Sequence, residues 1–124
     1  MTKPRIRYDE PSDTLHIAFA PGEPATGIEL NEHILLRVDK RESTAVGLTL
    51  LNFSLLAQRT EMGPRSFPLT GVATLPPELR ELALTLLQSP PVNEYLIISA
   101  FTGAGGEMMP ITYLQSDKLT SLAA

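Results

Sequence analysis

Polar and apolar residues alternate with a period of two along the first part of the chain, and that alternation predicts strands. Between Arg5 and Asp9, Ile6 and Tyr8 share one face while Arg5 and Arg7 share the other. Between Thr14 and Phe19, Leu15, Ile17 and Phe19 oppose Thr14, His16 and Ala18. Glu10-Pro11-Ser12 and the flanking aspartates form a polar turn: Pro11 presets a backbone angle, and Asp and Ser oxygens can accept from nearby N–H groups. The pattern is that of a half-buried antiparallel hairpin.

After a loop at Ala20-Pro21-Gly22-Glu23-Pro24, a short strand over Thr26–Leu30, a two-residue turn at Asn31-Glu32 and a strand from His33 to Asp39 predict a second hairpin, with Ile34, Leu36 and Val38 inward. A fifth strand over Ala45–Leu51 places Val46, Leu48 and Leu50 on one face. Asn52 suits a helix N-cap, with a short helix through Arg59 that Met62-Gly63-Pro64 closes. Residues 65–75 read as an irregular crossing.

The clearest helix runs from Glu78 to Gln88, with Pro76 and Pro77 at its start and Pro90-Pro91 beyond its end. Leu79, Leu82, Ala83 and Leu86 have the spacing of a buried stripe, which Leu87 widens. The segment Glu94–Phe101 is apolar on both faces and predicts a strand covered on both sides. A glycine-rich turn from Gly103 leads to a returning strand, Met108–Leu114, in which Pro110 suggests an edge or a bulge; a weakly helical tail follows. Together these elements predict an α+β fold: an antiparallel meander sheet of two N-terminal hairpins plus a fifth strand, two helices and a C-terminal hairpin.

Tyr8-Asp9, three residues, then Asp13, Thr14, Leu15, His16 and Ile17 resembles the opening signature of the small prokaryotic family called domain of unknown function 2283. The likeness continues through Gly27–Leu30, the strand from Ile34 to Asp39, and Val46–Leu51 followed by Ser54, covering about residues 4–58. His16 stands where the family usually has Tyr. The resemblance implies a compact antiparallel sheet with a short closing helix, and it brings no activity with it.

A length of 124 residues favours a single domain, 1–124, with an N-terminal module of about 1–60 and a helix–hairpin elaboration of about 61–124. The apolar fraction of 43% suffices for a core. Fourteen acidic against ten basic residues give a net charge of −4, which argues against nucleic acid as a partner. There is no cysteine, which excludes disulfides, thiolate metal sites and a cysteine nucleophile. No apolar run approaches the roughly 20 residues of a membrane span, and no secretory pattern follows Met1, so the expected place is the cytoplasm.

Asp9, Asp13 and His16 are candidates for a metal or ligand site at the mouth of the first hairpin, with His33 approaching from the second. Their plainer use is structural, because aspartates beside a turn hold backbone donors and a strand histidine packs. No catalytic residue, metal or cofactor is assigned. Arg5, Arg7 and Arg37 can line one outward sheet face, a small basic surface or simply a solvated one. The glycine-rich turn lacks the Lys-Ser/Thr pair of a phosphate loop. The expected function is a non-catalytic interaction or regulatory module that self-associates as a homodimer or higher oligomer. A small-molecule or metal-binding protein, conceivably a hydrolase, is the alternative, and it requires the two aspartates and two histidines to converge.

Overall fold

The computed structural model describes residues 4–20, 25–61, 63–64, 66–102 and 108–114. Strands β1 (Arg5–Asp9), β2 (Thr14–Ala18), β3 (Thr26–Glu29), β4 (Ile34–Asp39) and β5 (Thr44–Leu51) form an antiparallel sheet in the order β1-β2-β5-β4-β3. Consecutive strands pair within β1–β2 and within β3–β4–β5, as the alternation predicts. The two runs join where β5 pairs with β2, which gives β2 to β5 a Greek-key order. β5 is therefore central, and its Ala45, Val46, Gly47, Leu48 and Leu50 are all buried.

The period of two fails once within β5. Val38 pairs with Ala45 and Arg37 with Gly47, so Val46 is an extra residue, a bulge. The expected face of Val46, Leu48 and Leu50 is broken there. Ala45 joins Leu48 and Leu50 in the core, while the Val46 carbonyl accepts from Phe19 N at 2.7 Å and Ala20 N at 3.2 Å.

Two turns are built alike. Asp9 pairs with Thr14 and Asp39 with Thr44, and the last turn residues, Asp13 and Ser43, have φ of 53° and 54°. The β3–β4 connection is wider than a two-residue turn, because the Asn31 side chain holds it open: its Oδ1 accepts from His33 N at 2.8 Å and Ile34 N at 2.9 Å.

Helix α1 (Phe53–Leu56) is one turn long, shorter than the stretch through Arg59. Asn52 precedes it with φ 57° and ψ 50° and makes no side-chain cap bond, which corrects the capping role expected of it. The chain then forms a two-stranded ribbon from β6 (Arg59–Thr60) and β7 (Gly63–Pro64), and β8 (Phe67–Pro68) replaces part of the irregular crossing.

Helix α2 (Pro77–Leu87) starts at the paired prolines, with Arg80 N donating to Pro76 O at 2.9 Å. Its buried residues are Ala83, Leu86 and Leu87; Leu79 and Leu82 lie half-buried at the margin. The stripe is thus centred about one position further round than the spacing suggested. Strands β9 (Leu96–Thr102) and β10 (Met108–Leu114) form the C-terminal hairpin, and β8 adds to it in the order β8-β10-β9. Pro110 therefore sits in a central strand. Its carbonyl accepts from Leu69 N at 2.8 Å just past the end of β8, so its missing N–H falls where no partner strand remains. The glycine-rich turn over 103–107, the tail from 115 and the loop over 21–24 lie outside the described residues.

The two halves carry separate sheets. Their buried side chains nevertheless form one cluster that runs from Leu15, Leu36 and Leu48 through Phe53, Leu69 and Leu87 to Leu96 and Leu114. Phe19 and Tyr95 meet across the halves with ring centres 6.0 Å apart.

Candidate functional site

Asp13, the last residue of the β1–β2 turn, gathers donors from two distant parts of the chain. Its carboxylate accepts from Tyr8 Oη at 2.7 Å, from Ser54 N at 3.1 Å and from Ser54 Oγ at 2.9 Å, and its carbonyl accepts from Phe53 N at 2.9 Å. These bonds cap α1 from another part of the chain. The Tyr8 hydrogen bond, helped by both Ser54 donors, holds the Asp13 carboxyl below its ordinary pKa against a smaller desolvation effect. The same bond pushes the Tyr8 phenol up. With every oxygen engaged by donors, Asp13 is a structural anchor.

Asp9 accepts from the Ser12 hydroxyl within its own turn. His16 lies elsewhere, on the outward face of the sheet. The register places Arg7, His16, Thr49 and Leu35 in one cross-strand row, and Arg5, Ala18, Gly47 and Arg37 in the next. Arg37 crosses over Gly47, its Nη1 3.7 Å from the point a Cβ would occupy there. Burial, then the Arg7 and Arg37 guanidiniums, lower the His16 pKa, and Asp9 opposes them. The three arginines expected on one face are there.

His33 occupies a third place. Its Nδ1 is 3.1 Å from Asn52 Oδ1, its Nε2 is 3.5 Å from Glu32 Oε1, and its ring meets Phe67 edge-on at 6.2 Å. Beside it opens a cavity of about 530 Å³, bordered by Glu32, Leu55, Phe67, Pro68 and Thr70. The walls come from both halves of the chain. Asn31 Nδ2 donates to Pro68 O at 3.1 Å, and Gly71 N donates to Leu30 O at 2.8 Å.

Residues 5–54 match a family model described as "Protein of unknown function (DUF2283)". No curated protein and no solved structure matches the chain. The matched span contains Tyr8, Asp13 and Ser54, which meet at one point and fasten α1 to the first hairpin. Its end at Ser54 leaves Phe67 and Thr70, the far wall of the cavity, outside the matched span.

Asp9, Asp13, His16 and His33 do not converge. The two aspartates serve the first turn and α1, His16 faces outward between arginines, and His33 borders the cavity. Among the described residues, no group of three or more His, Asp or Glu side chains is placed to hold a metal ion. Among them, too, no helix is long and apolar enough to cross a membrane. The cavity itself was illegible from sequence, since Glu32 and Thr70 belong to no motif and Asn52 reads as a cap. Ser54 follows the stretch that resembles the family, but nothing in the sequence pairs it with Asp13.

Proposed function

We propose that this protein is a non-catalytic module that acts by self-association through its C-terminal sheet. One observation carries the reading. On the inner face of that sheet Leu96, Leu114, Thr112 and Phe67 are buried, whereas on the outer face Ile97, Met109, Ile111 and Tyr113 remain half-exposed. Sequence predicted a strand covered on both sides; the second cover is incomplete. No charged residue belongs to that face among the described positions of β8, β9 and β10, so a second copy can pack on it without burying a charge. A two-fold arrangement brings the same patch of each copy together and closes the assembly.

The separation of Asp9, Asp13, His16 and His33 supports the non-catalytic part of the reading, because a hydrolase built on them needs them in one cleft. The net charge of −4 supports a protein rather than a nucleic-acid partner. Light scattering coupled to size exclusion tests the proposal, on the wild type and on Ile111→Lys, which places a charge in the centre of the face. The expected result is a dimer or larger species for wild type and a folded monomer for the variant. A concentration-independent mass near 13.5 kDa for the wild type overturns it.

A further inference from the structure

We infer that the outward face of the N-terminal sheet holds a binding site for a small phosphate monoester, between Arg5 and Arg7 on β1 and Arg37 on β4, a role separate from self-association. Four residues of β2 and β5 make its floor. The register sets His16 beside Thr49 in one cross-strand row and Ala18 beside Gly47 in the next. From β1, Arg7 flanks the first row and Arg5 the second, while Arg37 flanks the second from β4. Arginines therefore stand on both sides of a floor that is low at Ala18 and Gly47.

The direction of Arg37 is built into the sheet. On one side of it Leu35 fills the space above Gly27, its Cδ1 3.3 Å from the point a Cβ would occupy there. On the other side Gly47 has no side chain, and Arg37 Nη1 lies over it, 3.7 Å from the corresponding point. A Cβ at Gly47 would meet Ile17 O at 2.6 Å, so the low floor is a fixed feature of the fold. Arg7 reaches the same place from β1: after burial, the charges of Arg7 and Arg37 are what lower the His16 pKa, with Asp9 opposing. Among the described residues, the three guanidiniums have no ion-pair partner.

The carboxylates of this face lie outside the floor and its flanking arginines. Asp9, beyond Arg7, accepts from Ser12, and Asp39, beyond Arg37, accepts from Arg41 N and Glu42 N in its own turn. Glu29 stands on the edge strand β3. Guanidinium forks on opposite sides suit a tetrahedral dianion, whose oxygens point both ways, better than a carboxylate, whose two oxygens lie in one plane and pair with a single fork. The His16 ring and the Thr49 hydroxyl add donors from the floor. A bound dianion also offsets the arginine charges at His16 and favours its protonated form. The net charge of −4 sets a small phosphate compound apart from a nucleic-acid backbone.

The test follows the His16 ring C–H resonances by NMR while methyl phosphate is added at about pH 7.5, where the ester is a dianion, with acetate and chloride as probes at the same ionic strength. The expected result is a saturable shift with methyl phosphate, with a Kd on the order of millimolar, and no saturation with the other two. At saturation the His16 titration midpoint rises. Arg7→Gln, at an exposed position that leaves the fold intact, and Arg37→Gln are each expected to weaken binding by roughly three- to tenfold. Arg80→Gln removes the same charge from an exposed position of α2 and leaves binding unchanged. Absence of a saturable response, an equal response to acetate, or an equal loss in Arg80→Gln and Arg7→Gln overturns the assignment.

Discussion

The Asp13 carboxylate accepts both the backbone N–H and the hydroxyl of Ser54, at 3.1 and 2.9 Å, across 41 positions of sequence. A single-turn helix has no stability of its own, since helix nucleation is unfavourable and four residues complete few bonds. α1 persists because Asp13 satisfies the N–H of Ser54 through its carboxylate and that of Phe53 through its carbonyl. Replacing Asp13 with Ala is expected to cost about 1–2 kcal/mol, the range of a lost cap, with α1 amides exchanging faster than those of β5. Hydrogen exchange on wild type and variant checks this; unchanged protection at Ser54 refutes it.

The same carboxylate makes stability depend on acidity. Its folded pKa lies below the unfolded one, so the unfolded chain binds the proton more readily in the acidic range. The contribution is complete above the ordinary carboxylate value of about 4 and is lost as pH falls through the lower folded value. Asp13→Asn is expected to flatten that part of the stability curve. Denaturant melts of the two proteins from pH 2 to 6, flanking the ordinary value of about 4, read the difference directly.

What the sequence disclosed was whatever depends on neighbours in sequence. Alternation located β1, β2, β4 and β5, and the prolines located α2. The inward set Ile34, Leu36 and Val38 is buried as expected. What stayed hidden depends on contacts between distant segments. Asn52 has the composition of a cap, but the cap is Asp13; Val46 continues the alternation, but a bulge removes it from the face; His33 and Asn52 meet only because β4 and β5 are neighbours. Tyr8, Asp13 and Ser54, all within the span that resembles the family, form one hydrogen-bonded group, but only the first two stand close enough in sequence to suggest it.

In α2 the buried stripe runs through Ala83, Leu86 and Leu87, with Leu87 fully buried and Leu82 at the margin. Leu87→Ala is therefore expected to cost about 2–5 kcal/mol, whereas Leu82→Ala costs clearly less. Glu81→Lys, on the exposed side, is nearly silent. Thermal melts rank the three. A larger loss at Leu82 than at Leu87 refutes the orientation of the helix.

Gly71 tests how firmly the second half is seated on the first. A Cβ at this position would run into the Glu29 carbonyl and meet Leu30 O at 3.0 Å, both backbone atoms that cannot rotate away. Gly71→Ala is expected to destabilise by roughly 1–3 kcal/mol and to move the resonances of Asn31 and His33. A variant with wild-type melting and unshifted resonances refutes the close seating.

His16 gives the last prediction, on the outward face of the N-terminal sheet. Partial burial first, then the charges of Arg7 on β1 and Arg37 on β4, hold its pKa below the ordinary value, with Asp9 of β1 opposing. The ring is thus neutral in the fold at pH values where the unfolded chain has begun to take up a proton. In that window the unfolded state binds more protons, so stability rises with pH; it is lost as pH falls from about 6.5 through the folded value. Proton NMR should place the His16 midpoint below the ordinary one. Arg7→Gln should raise it by removing a positive neighbour, and Asp9→Asn should lower it. His16→Tyr, the residue usual in the resembling family, should fold normally, because the position faces away from Leu15 and Ile17, and should lose this segment of the pH dependence. A His16 midpoint at or above the ordinary value, or one that does not respond to Arg7→Gln, contradicts the placement of His16 between the arginines.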